Sequence, residues 1–286
     1  MTDATPATPL VSASWLKQRL GESGLLVLDA TWVMPSEQRD ARADYRHQHI
    51  PGARFFDIDV VADIDSPLPH MVPSAGRFAR LMSELGMNRE DHVVFYDQKG
   101  LYSAARGWWL LLLFGHGRVS VLDGGLPAWR AAGGVVESEA PHWQATTYRP
   151  ELRTELWCGL GDLRANLGTQ AELVLDARST ARFAARVPEP RPGLAGGHIP
   201  GSRSLPYEQL LNADQTLKSA AELRALFAAA GVRANQPVVT SCGSGLTAAI
   251  LSLGLAVAGL PPGALYDGAW AEWGSLPDTA KAVGDF

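Results

Sequence analysis

The chain has 286 residues, enough for two ordinary domains or one large one. Its composition, 46% hydrophobic and 19% charged, excludes a disordered or fibrous protein. A formal net charge of −5 excludes a broad nucleic-acid footprint, because phosphate backbones are held by clustered Lys and Arg.

In chain order, Met1 to Pro9 is rich in Thr, Ala and Pro and reads as a loose tail with no features of a signal peptide. Leu25 to Ala30 is a short apolar run of the kind that forms a buried parallel strand, and it ends in Asp29-Ala30. His49-Ile50-Pro51-Gly52 follows as a turn, with another short strand expected after it. Val93 to Asp97 is the next strand, leading through a Gly-containing loop into an apolar helix. That stretch, near Trp108 to Phe114, is too short to span a bilayer, and no membrane partner is expected. Leu122-Asp123-Gly124-Gly125 with Trp129 closes the series.

The same signals then return in the same order. Leu173 to Ala177 matches the first strand at a shift of 147 positions, and His198-Ile199-Pro200-Gly201 matches the turn at 149, with a short apolar strand expected after it as after the first. Val238 to Cys242 matches Val93 to Asp97 at 145, and Tyr266-Asp267-Gly268-Ala269 with Trp273 matches the last motif at 144. Four ordered matches at nearly one spacing indicate a tandem duplication. The copies span about 10–145 and 157–286, joined by a linker near His142 to Glu155. Helical patterns between the strands, such as Ala220 to Ala230 and Thr247 to Ala258, predict a parallel α/β domain in each copy.

Cys158 and Cys242 are the only cysteines, so no disulfide framework is expected and a reducing cytoplasm fits. Cys242 lies between a strand and a helix and is followed by Gly243-Ser244-Gly245. Glycines let the backbone turn sharply and aim successive N–H groups inward, and the helix N-terminus adds partial positive charge. Such a turn favours a thiolate and equally a persulfide anion. The competing reading is a small buried apolar residue at a strand end. Cys158, in Trp157-Cys158-Gly159, has no such turn and reads as packing.

Other loop chemistries fare worse. A cysteine phosphatase needs an arginine to grip the phosphoryl oxygens, and the loop after Cys242 runs Gly, Ser, Gly, Leu, Thr, Ala, Ala. A nucleotide-binding loop would need Lys-Ser or Lys-Thr after its glycines. The two Cys and seven His show no paired ligand spacing, so no metal site is expected.

With Tyr45 and His49 to Ala53, His198 to Gly201, Cys242 to Ala248, and Tyr266 to Trp270 with Glu272-Trp273, the chain resembles the rhodanese family of sulfurtransferases over nearly its whole length. The resemblance implies an α/β fold of two tandem rhodanese-like domains, each a parallel sheet flanked by helices. It also implies a catalytically inactive first domain, with Asp97 opposite Cys242, and a persulfide cysteine in the second.

Loops of the thiosulfate enzymes resemble Cys-Arg-Lys-Gly, whereas those of mercaptopyruvate enzymes resemble Cys-Gly-Ser-Gly-Val-Thr-Ala. This chain reads Cys242-Gly243-Ser244-Gly245-Leu246-Thr247-Ala248, so the resemblance favours 3-mercaptopyruvate as donor, with thiosulfate the alternative. It places the two substrate arginines at Arg182 and Arg191, although Ala184 to Val187 departs from the family pattern between them. It also places a serine, histidine and aspartate relay at Ser244, His70 and Asp59, drawing on both copies. Gly243, Gly245, Leu246 and Thr247 would line the substrate. Thr247, at the helix start, is further expected to cap exposed N–H groups, and Arg178 to be structural, bonding Asp176 or nearby carbonyls. The implied acceptor is a thiol, such as a small thiol or thioredoxin, or cyanide, and no cofactor is needed. A noncatalytic rhodanese-like interaction module is the reading from another class.

Overall fold

The computed structural model describes residues 8–284, so all but the last two residues of the expected loose tail lie outside the described residues. Two compact units divide the chain. The first takes the chain up to Ile64, Pro73–Arg153 and Ala213–Leu217; the second takes Asp65–Val72, Thr154–Asn212 and Lys218 onward. Two short segments thus pack with the unit built from the opposite repeat, which the linear reading of 10–145 and 157–286 did not anticipate.

The first unit contains β1 (Leu10–Val11), β2 (Leu25–Asp29), β3 (Arg54–Phe55), β4 (His92–Tyr96) and β5 (Val119–Leu122). They form one sheet in the order β1-β5-β4-β2-β3, every pair parallel. The second unit contains β6 (Trp157–Cys158), β7 (Leu173–Asp176), β8 (Arg203–Ser204), β9 (Val238–Ser241) and β10 (Ala264–Tyr266). Its order is β6-β10-β9-β7-β8, again all parallel. The duplicated apolar runs are therefore the central strands of both sheets, β2 with β4 and β7 with β9. They lack polar alternation because helices cover both faces of a parallel sheet. The strand after the second turn, Arg203–Ser204, is polar where an apolar one was expected, and it lies at the sheet edge.

Local chemistry sets the helix starts. Ser74 accepts from the Arg77 amide, and Ser219 with Glu222 forms a reciprocal capping box. The repeated histidines are structural in both copies. His49 Nδ1 bonds the Tyr45 carbonyl and His198 Nδ1 bonds the Phe183 carbonyl, while their backbones bridge Glu137 and Ala282. The repeated tryptophans likewise anchor loops through their indole N–H, Trp129 to the Val135 carbonyl and Trp273 to that of Ala280. Each unit has its own apolar cluster, around Val94 and Trp129 in one and Val239 and Trp270 in the other. Among the described residues no helix is long and apolar enough to cross a membrane.

Candidate active site

Cys242 stands one residue beyond β9, where the chain leaves the sheet and turns into the helix Ala248–Val257. Only 1% of its surface is exposed, and Gly243 to Leu246 are buried with it. The turn is closed by Gly245 at φ 76°, a left-handed conformation for which glycine has no steric penalty. The other side of the loop is pinned by the last strand-to-helix turn. Trp270 N–H donates to the Cys242 carbonyl at 2.9 Å and Ala271 N–H to that of Gly243 at 3.0 Å. With the carbonyls of Cys242 and Gly243 engaged outward, the peptide planes of the turn are fixed.

Thr247 is the N-cap of that helix but has helical backbone angles, φ −77° and ψ −15°, and its side chain caps nothing. The expected capping role is thereby corrected: a capping hydroxyl needs an extended backbone to reach back over the first turn. Half-buried, Thr247 keeps its hydroxyl without a hydrogen bond among the described residues.

His70 and Ser244 are brought together. His70 belongs to the Asp65–Val72 segment of the second unit, is 5% exposed, and its Nδ1 lies 3.2 Å from both the carbonyl and the Oγ of Ser244. A proton on Nδ1 is donated to these oxygens; without one, Nδ1 accepts the Oγ–H. Asp59 is exposed and belongs to the first unit, where its carboxylate accepts from the Trp32 indole N–H at 3.0 Å. The helix there is capped by Asp57, two residues earlier.

Arg182 lies against the loop, since a methyl group on Gly243 would come within 2.9 Å of its Nη2. Its Nε and Nη2 donate to Glu189, at 3.2 and 2.5 Å. Arg178 is fully buried, donates to both oxygens of Asp176, as the sequence suggested, and reaches Glu189 at 2.8 Å. Arg191 is half-buried, with no ion pair among the described residues. Burial, with Asp162 and Glu172 nearby, pushes the Cys158 thiol up to about 12, which suits a packing residue and not a resolving thiolate. Among the described residues no three His, Cys, Asp or Glu side chains gather as for a metal ion.

The rhodanese-like domain pattern matches this chain twice, over residues 12–132 and 160–276. The chain belongs to the rhodanese family. A sulfurtransferase from Arabidopsis thaliana, named for thiosulfate and 3-mercaptopyruvate and as mitochondrial, is 41% identical over 97% of this chain and 79% of its own. The 3-mercaptopyruvate sulfurtransferase of Escherichia coli K12 is 40% identical over 95% of this chain and 96% of its own. The crystal structure of SseA from E. coli, described as a 3-mercaptopyruvate sulfotransferase, superposes with a TM-score of 0.84 at 38% identity, covering 92% of this chain and 99% of that one.

Within this rhodanese-family sulfurtransferase, two residues whose bonding the sequence did not report matter to the site. Glu189 has a side chain only 1% exposed and bridges Arg178 and Arg182. Its signal was legible in Pro188-Glu189-Pro190-Arg191, an acid between prolines beside an expected ligand, but its partners were not. Asp97 is the other. In the first unit its Oδ2 accepts from the amides of Tyr102, Ser103 and Ala104 at 2.8, 2.9 and 3.0 Å, and its Oδ1 from Lys99 at 2.9 Å. The loop that carries Cys242 in one copy holds a carboxylate in a ring of amides in the other.

Proposed function

We propose that this sulfurtransferase moves sulfane sulfur from 3-mercaptopyruvate, through a persulfide on Cys242, to an acceptor thiol or cyanide, releasing pyruvate. The observation that carries the reading is the occupied amide ring of the first copy. The two loops align without a gap, Asp97 on Cys242 and Gly100 on Gly245, and both glycines are left-handed. By that register the amides of Ser244, Thr247, Ala248 and Ala249 correspond to those that hold the Asp97 carboxylate, although the Ala249 amide already donates to the Leu246 carbonyl at 3.3 Å. The arm Cβ–Cγ–Oδ2 of the aspartate, which takes three of the four amides, matches Cβ–Sγ–Sδ of a persulfide in number of bonds and in charge, which supports a persulfide in the second loop.

In the first half-reaction the Cys242 thiolate attacks the donor's sulfur. The C–S bond breaks, its electron pair leaves with the pyruvate enolate, and the enolate carbon takes a proton. In the second, an acceptor thiolate or cyanide attacks the outer sulfur and Cys242 returns as thiolate. Ser244, in contact with His70, is the group we assign to proton handling, with Asp59 as third member of the relay. Gly243, Gly245, Leu246 and Thr247 form the wall against which the donor lies.

Charge favours a donor with one carboxylate. Asp176, Arg178, Glu189 and Arg182 form a self-neutralised chain of ion pairs, whereas Arg191, the other arginine assigned to the donor, has no ion pair among the described residues. One carboxylate matches one such guanidinium bidentately, and Arg182 is left to orient the ketone. The loop itself brings no cation for a dianionic donor such as thiosulfate. Two free cysteines suit a reducing compartment, which the cytoplasm provides.

The test compares pyruvate release from 3-mercaptopyruvate with thiocyanate formation from thiosulfate and cyanide, on the same purified protein. Higher kcat/KM for 3-mercaptopyruvate is expected. Preference for thiosulfate overturns the donor assignment, and activity surviving in Cys242→Ser overturns the mechanism.

A further inference from the structure

Asp65–Val72 and Ala213–Leu217 are the two segments that pack with the unit of the opposite repeat. They are equivalents: at the shift of 145 that aligns Asp97 with Cys242, Val72 aligns with Leu217 and His70 with Gln215. Each is fastened in the same way. In the second unit the Val72 amide donates to Asp267 Oδ2 at 2.6 Å, and in the first the Leu217 amide donates to Asp123 Oδ1 at 2.8 Å. Asp267 and Asp123 are themselves the repeated aspartates of the Asp-Gly motif, and Asp267 is 1% exposed.

Two residues before each fastened amide, the chain adopts the same unusual backbone: His70 has φ 61° and Gln215 φ 65°. Non-glycine residues hold a left-handed conformation only where their surroundings enforce it. Both then meet the strand-to-helix loop. His70 touches Ser244, and Gln215 packs on Gly100, where an added methyl would come within 2.5 Å of its Cβ. Ser244 and Gly100 are loop neighbours in the common register, at the second and third positions after Cys242 and Asp97. A strap is thus delivered to the loop in both units, and at its left-handed position only one of the two carries a titratable side chain, His70 against Gln215.

We infer that Asp267 is a positioning residue for the transfer reaction: its carboxylate clamps the Val72 amide, holds the left-handed turn at His70, and so aims the imidazole at Ser244. The first unit separates this role from folding, because there Asp123 makes the same bond with nothing catalytic at the end of the strap. The inference rests on the role proposed for His70, and the test keeps the two apart.

The measurement is steady-state pyruvate release from 3-mercaptopyruvate by the full chain. Asp267→Ala is expected to lower kcat by roughly tenfold to a hundredfold, at or below the low end of what a positioned proton-transfer group contributes because the imidazole itself remains, with KM within about twofold. Asp267→Asn retains an acceptor for the Val72 amide and restores most of the loss. Val72→Pro removes the donor while leaving Asp267 in place, reproduces the loss, and covers the case in which Asp267→Ala folds poorly. Asp123→Ala breaks the equivalent bond and changes neither constant. Combined with His70→Gln, Asp267→Ala adds no further loss. The inference is overturned if Asp123→Ala costs as much, if Val72→Pro keeps full kcat, or if the double variant falls by the product of the two singles. A His70→Gln variant with wild-type kcat would instead refute the role of His70 itself.

Discussion

Asp97→Ala probes whether the strand-to-helix loop needs an anion at its centre. Asp97 is fully buried, and its two oxygens accept four backbone amides, from Lys99, Tyr102, Ser103 and Ala104. A hydrogen bond to a charged group contributes about 1.5–3 kcal/mol, and a buried donor left unsatisfied costs about 1–3 kcal/mol. Lys99 and Tyr102 are only half-buried, so water can replace the carboxylate there, whereas Ser103 and Ala104 are fully buried. Two stranded donors plus partial loss at the others amount to about 3–5 kcal/mol. For a unit of this size each kcal/mol moves the midpoint by about 2–4 °C, so the first unit should melt roughly 6–20 °C lower. Scanning calorimetry, with urea unfolding followed by tryptophan fluorescence, measures the shift, and Asp97→Asn, which keeps one acceptor oxygen, should lose about half of it. A melting temperature within about 1 °C of the parent would refute the cradle, and with it the support it lends to a persulfide on Cys242.

Three further outcomes follow from the same geometry. Cys242→Asp, by giving the second loop the carboxylate the first already holds, should abolish transfer yet raise thermal stability, while Cys242→Ser abolishes transfer without that gain and never shows the adduct of about 32 Da expected for one added sulfur. Glu189→Gln removes the charge shared by Arg178 and Arg182; KM for 3-mercaptopyruvate should rise about tenfold with a smaller change in kcat, and the midpoint in urea should fall because a buried pair loses one partner. Burial, with Arg118 and His116 nearby, holds His92 down at about 4 instead of 6.5. Its neutral form is favoured in the fold, so as pH drops from 6.5 towards about 4 the unfolded chain takes a proton the native state refuses and stability declines; urea midpoints at pH 7 and pH 5 should lie closer together in His92→Gln.

Much of this was legible in the sequence, for reasons that can be located. Leu25 to Asp29 and Leu173 to Asp176 are strands because continuous apolar runs suit sheets covered on both faces, and the Pro-Gly turns and Asp-Gly motifs repeat because both copies bend at the same places. The sharp turn after Cys242 was legible in Gly243-Ser244-Gly245. Other features are invisible along the chain. Glu189 is an acid in a loop until Arg178 and Arg182 are seen on either side of it. Thr247 has the composition of a cap but not the backbone angles. Asp97 read as the mark of a lost nucleophile, whereas its four amide bonds make it a structural anion in its own right. His70 belongs to the first repeat by position and to the second unit by packing, and no periodicity reports that.

That last feature bears on how the molecule can be divided. Severing the peptide near Arg153 would leave an amino-terminal piece without residues 213–217 and a carboxy-terminal piece without residues 65–72. The carboxy-terminal piece would retain its thiol and forfeit the histidine that meets Ser244. Sequence duplication and physical self-sufficiency therefore have different borders here, and gene fragments drawn along the former inherit gaps in the latter.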